Sequence, residues 1–186
     1  MPHINLPNKL TMSRLILAVV FFVFLSYRFF DIAFLAFVLA GLTDWFDGYL
    51  ARKQELLTEF GRIADPFVDK IIICGGFITL ILHAHTVLAP WMVVVIVARE
   101  FLINSLRSYS ETKGVPTPSN MWGKSKMFLQ SVTLGALILF FGHFQTNPWA
   151  WAVVTVLLWA TTILTVVSGL QYLFKARQTL ITALSA

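Results

Sequence analysis

LTDWFDGYLARKQELLTEFGRIADPFVDK (Leu42–Lys70) sets four aspartates, Asp44, Asp47, Asp65 and Asp69, at the edges of strongly apolar sequence. An apolar run that starts at Ile32 leads into the stretch, and an uncharged run from Ile71 to Ala98 leads away from it. On a helix, residues three or four apart share a face. Asp44 pairs in this way with Asp47, and Asp65 with Asp69. Two antiparallel neighbouring helices joined by a short connection are expected to bring both pairs together. Carboxylates gathered so closely must protonate, pair with cations or bind metal. Arg52, Arg62 and Lys70 supply cations within the stretch. A cluster of hard oxygens suits Mg2+ or Mn2+, usually shared with a phosphate substrate, and four carboxylates provide for two ions. Asp65 before Pro66 reads as an N-cap with proline at the first helical position, which would aim a helix dipole at the site. Gly48, Ala51 and Gly61 leave room for backbone to approach a ligand or another helix.

The rest of the chain says where this cluster sits. Of its 186 residues 58% are hydrophobic and only 12% charged, against roughly 25% charged in a soluble domain. The length fits one domain, residues 1–186. A helix crosses the hydrocarbon core in roughly 20 residues, which divides the chain into six spans at about 10–27, 30–50, 63–82, 87–110, 124–143 and 149–174. The fold class is therefore all-α, a polytopic membrane protein with six transmembrane helices. Of the 14 Lys and Arg residues, only Arg28 falls in the first, third or fifth connection. By the positive-inside rule both termini and the second and fourth connections are cytoplasmic. The net charge of +5 then belongs to the membrane surface and its anionic lipids, and no nucleic-acid motif accompanies it. The first apolar run ends in FLSYRFF without a small-residue cleavage site, so it reads as a mature helix.

Asp44-x2-Asp47-Gly48-x2-Ala51-Arg52-x8-Gly61-x3-Asp65-x3-Asp69 resembles the signature of the CDP-alcohol phosphotransferases at every motif position. NLPNKLTMSRLIL (Asn5–Leu17), AREFLINSLR (Ala98–Arg107), GKSKMFLQ (Gly123–Gln130) and SGLQYLFKAR (Ser168–Arg177) resemble blocks of its bacterial phosphatidylglycerophosphate synthase branch. Met127 stands where that branch leads one to expect threonine.

The resemblance implies a six-helix homodimer in the bacterial cytoplasmic (inner) membrane, with its active site facing the cytoplasm. It implies transfer of the phosphatidyl group from CDP-diacylglycerol to sn-glycerol 3-phosphate, with release of CMP. Asp44, Asp47, Asp65 and Asp69 are then ligands of two Mg2+ or Mn2+ ions, and Asp69 is also the candidate general base. Gly48, Ala51, Arg52 and Gly61 would line the CDP-diacylglycerol site, with Asn8, Thr11 and Arg14 of the first helix beside them. Asn8 and Thr11 also read as helix-start residues. Arg107, Lys124 and Lys126 suit the acceptor's phosphate, although Lys and Arg at such positions also snorkel to the membrane surface. Arg99 lies deeper and has Glu100 as an available partner.

The aspartate motif alone does not separate glycerol phosphate from inositol phosphate, serine or another phosphatidyl lipid as acceptor. An ion transporter built on membrane carboxylates is the rival class; it would place its acids at mid-bilayer, whereas these lie beside the basic connections. His83 and His85 fall in an outer connection and make a poor metal site. Trp91, Trp149 and Trp151 read as an interfacial belt, and Cys74 as a small core filler.

Overall fold

The structure, a computed structural model, describes the backbone of residues 6–54, 59–83, 87–112, 121–175 and 177, and their side chains other than those of 6–11, 46–54, 59–66, 111, 121, 122, 124 and 175. Regular structure among the described residues is helical throughout: α1 (Leu6–Ser26), α2 (Phe30–Gln54), α3 (Glu59–Ile81), α4 (Pro90–Thr112), α5 (Met121–Leu139) and α6 (Pro148–Lys175). A π-helical turn, Phe140–Phe144, extends α5. These helices lie where hydropathy places them, with their ends displaced by a few residues.

Two of the displacements correct the reading of the site. α1 starts at Leu6 with Pro7 in its first turn, where a missing N–H breaks no helical bond. Asn8 and Thr11 are therefore inside the helix and do not precede it. α3 starts at Glu59, so Asp65 is not its N-cap and Pro66 is not its first residue. Pro66, inside the helix, forfeits a single helical hydrogen bond.

α1 turns back into α2 through Tyr27, Arg28 and Phe29. The Arg28 N–H donates to the Leu25 carbonyl and the Phe29 N–H to the Phe24 carbonyl, the bonding pattern of a Schellman motif. Its hydrophobic contact is present as well, with the rings of Phe24 and Phe29 edge to face at 5.9 Å. Arg28 takes the left-handed conformation, φ 64°, where glycine is usual.

This turn packs α2 closely on α1, and α3 packs on another side of α1. Among the described residues α2 and α3 make at most marginal backbone contact with each other. The reason is visible at Gly75 and Gly76. A Cβ at Gly75 would lie 2.5 Å from the Phe22 ring, and one at Gly76 would lie 2.8 Å from Leu134 and 3.1 Å from Phe21. Glycine lets α1 and α5 settle against α3, so α1 fills the place between α2 and α3. α5 rests on α2, α3 and α6, and α4 rests on α3 and α6.

The buried core includes Phe21, Leu25, Ala33, Phe77, Leu80, Leu88, Ile96, Leu134 and Leu137, and Cys74 is buried as expected. Ile16, Leu35, Ile78, Val94, Phe128 and Phe174 face outward, one from each of the six helices. Apolar exposure this widespread is foreign to a water-facing surface. Two described segments, Ser125–Phe144 and Pro148–Phe174, are long and apolar enough to cross a membrane.

Candidate active site

Polar side chains gather in the half of the bundle away from the α1–α2 turn. Arg14 is 1% exposed, and a guanidinium so buried must find charge or hydrogen-bond partners. Its Nη1 donates to Asp44 Oδ1 at 2.5 Å and to Asp69 Oδ1 at 3.2 Å. Asp44 comes from α2 and Asp69 from α3. They converge because α1, standing between those helices, carries a cation that both carboxylates reach. Two of the four motif aspartates are thus brought together by the structure. Asp47 and Asp65 lie on the same helices, three and four residues away, and their side chains are outside the described residues. So are those of Asn8, Thr11, Gly48, Ala51, Arg52, Gly61 and Lys124.

Arg14, expected beside CDP, is paired with two of the aspartates. Lys70, expected to pair with a carboxylate, donates to Asn104 Oδ1 on α4 at 2.5 Å. Adjacent helical residues diverge by about 100°, so Asp69 turns toward α1 while Lys70 turns toward α4.

A second polar group lies among α4, α5 and α6. Glu100 is 8% exposed and Lys126 is 1% exposed. Glu100 Oε1 accepts a hydrogen bond from Lys126 Nζ and another from Arg99 Nη1 at 3.2 Å, the partner expected for Arg99. Arg99 Nη2 donates to Ser168 Oγ at 3.3 Å. Lys126 is therefore an interior cation and does not snorkel along the lipid face. Arg107 is exposed, one turn beyond Asn104. Side-chain bonds tie α5 to α6 below this group, from Gln130 Nε2 to Thr165 Oγ1 at 3.4 Å and between the Thr133 and Thr161 hydroxyls at 2.7 Å. Glu100 and Asn104 were absent from the residues singled out in the sequence as site candidates. The available signal was their spacing: Glu100, Asn104 and Arg107 follow one helical face.

The donor chemistry near Arg14 fits a hard divalent cation. Asp44 and Asp69 are half-exposed oxygen donors, and they already reach one positive group from separate helices. The described histidines are elsewhere: Arg28 Nε donates to His83 Nδ1 at 3.3 Å, and His143 Nε2 lies 2.6 Å from Asp31 Oδ1. No trio of His, Cys, Asp or Glu assembles among the described residues.

Residues 4–167 match the family model of the CDP-alcohol phosphatidyltransferases. The chain is also similar to proteins named CDP-diacylglycerol–glycerol-3-phosphate 3-phosphatidyltransferase in several bacteria. The Bacillus subtilis (strain 168) protein is 36% identical over 92% of this chain and 94% of its own length. That of Haemophilus influenzae is 34% identical over 95% and 96%, and that of Rickettsia typhi 37% over 94% and 98%.

Proposed function

The chain belongs to the CDP-alcohol phosphatidyltransferase family, and on that premise we propose that it transfers the phosphatidyl group of CDP-diacylglycerol to sn-glycerol 3-phosphate, yielding phosphatidylglycerophosphate and CMP. The observation that carries this reading is the convergence of Asp44 and Asp69, from α2 and α3, on a single buried cation. The names of the relatives supply both substrates.

In the reaction the 1-hydroxyl oxygen of glycerol 3-phosphate attacks the phosphorus that bears diacylglycerol. The bridging P–O bond breaks and its electron pair leaves with CMP. The hydroxyl proton goes to an Asp69 carboxylate oxygen, since a neutral primary alcohol needs a positioned base. Attack is direct and in line, with no covalent enzyme intermediate. Asp44, Asp47 and Asp65, with a share from Asp69, would hold two Mg2+ or Mn2+ ions. When bound, these supply charge neutralisation at the pyrophosphate and at the departing phosphate. Arg14 orients Asp44 and Asp69 from the third side. Gly48, Ala51, Arg52 and Gly61, along with Asn8 and Thr11, belong to the CDP-diacylglycerol side. Arg107, Lys124 and Lys126 belong to the acceptor side, where Lys126 acts from inside the bundle and Arg107 from its surface.

The surrounding architecture in this reading is six membrane spans with both termini in the cytoplasm. It is supported by outward-facing apolar residues on all six helices and by the one-sided placement of Lys and Arg. The site then opens to the cytoplasm at the inner membrane, where lipid arrives from the bilayer and phosphorylated acceptor from water. A homodimer belongs to the same reading and rests on the family likeness alone.

Asp69→Asn is the test at the site. It should abolish turnover while leaving CDP-diacylglycerol binding within about twofold of wild type, the pattern of a group needed for the chemical step. Near-normal turnover would remove Asp69 from the role of base.

A further inference from the structure

Among the described residues α4 and α5 pack little on one another, although α3 and α6 lie against both. Glu100 and Lys126 form the described ion pair that crosses between them. Both partners are almost wholly buried, and a buried charge is tolerated only when paired and hydrogen-bonded. Glu100 meets that requirement for two cations together, because its Oε1 also accepts from Arg99. The cations nevertheless outnumber it. Lys70 reaches this face of α4 through Asn104, and Arg107 follows one turn later. Arg99 Nε is buried with no hydrogen-bond partner among the described residues, so the group keeps an unfilled donor. Surplus positive charge with an unfilled donor is what an incoming phosphate would complete.

We propose that Glu100 is a positioning residue of the acceptor site. By holding Lys126 of α5 and Arg99 of α4 it fixes the separation of these two helices, and so sets Arg107 and Lys126 at the spacing that receives the acceptor's phosphate. It touches neither substrate. This inference rests on the proposed acceptor reading and deepens it.

The test is steady-state kinetics on purified full-length protein in lipid–detergent micelles. Glu100→Gln keeps the side chain's shape and removes its charge. Its KM for sn-glycerol 3-phosphate should rise roughly tenfold, the scale of weakening one charge-assisted contact, while that for CDP-diacylglycerol stays within about twofold. Glu100→Asp should recover part of the loss. A strut with no role in the acceptor site would instead lower kcat or yield with both KM values unchanged, which would overturn the proposal. Glu100→Leu/Lys126→Met replaces the pair by apolar side chains and guards against a folding defect in the single variant. The double variant should melt near wild type and keep a raised acceptor KM; a wild-type acceptor KM there would also overturn the proposal. Wild type is run in parallel with inositol phosphate. Preference for that acceptor would refute the glycerol phosphate reading, and Glu100 would then be judged by the same KM criterion on the acceptor in use.

Discussion

Arg14 joins the carboxylates that the sequence shows as two separate pairs. Its guanidinium satisfies Asp44 and Asp69 together, so removing it leaves two neighbouring negative charges without their shared cation. Arg14→Met forfeits two charge-assisted contacts worth about 1.5–3 kcal/mol each, reduced here because both carboxylates are partly exposed. Its thermal midpoint in detergent should fall, and Arg14→Lys should restore part of it; an unchanged midpoint in Arg14→Met would show that the contacts contribute nothing to stability. The sequence made Asp44 and Asp69 legible through their spacing. It could not give Arg14 this position, because the contact depends on which helix stands between α2 and α3. The fates of Lys70 and Lys126 were hidden for the same reason: their partners, Asn104 and Glu100, are 34 and 26 residues away.

At the level of the helices, hydropathy located each of the six described helices, and its errors came at the ends. Pro66 was read as a helix start although α3 begins at Glu59; proline marks a favourable start but does not compel one. Neighbourhood along the helices was less legible. Chain order suggested α2 against α3, and along the described residues close approach at Gly75 and Gly76 sets α1 beside both. Gly76→Val should therefore loosen α1 and α5 from α3 at a cost of about 1–3 kcal/mol, the usual penalty for overpacking, seen as a lower melting temperature. No loss would mean that Leu134 and Phe21 move aside freely. The α1–α2 turn gives a change of the opposite sign. Arg28→Gly should relieve roughly 1 kcal/mol of left-handed backbone cost, offset in part by losing the bond to His83. A melting temperature clearly below wild type would show that the side chain matters more than the backbone.

For the whole molecule, the account joins a lipid-embedded bundle to a polar site in one half of it. In the proposed topology that half faces the cytoplasm, a reading supported by the outward-facing apolar residues and the asymmetry of Lys and Arg. With Cys74 buried, single cysteines introduced at Tyr27 and Gln54 report sidedness in intact cells. A membrane-impermeant thiol reagent should label Tyr27→Cys from outside and Gln54→Cys only after the membrane is opened; the reverse pattern would invert the topology. The central claim concerns the reaction, and it is tested most directly by CMP release from CDP-diacylglycerol by purified protein offered sn-glycerol 3-phosphate, inositol phosphate or serine, with Mg2+, with Mn2+ or with chelator. The account predicts CMP release that depends on sn-glycerol 3-phosphate and stops when the divalent ion is removed. Release with inositol phosphate or serine but not with glycerol phosphate, or undiminished release in chelator, would contradict it.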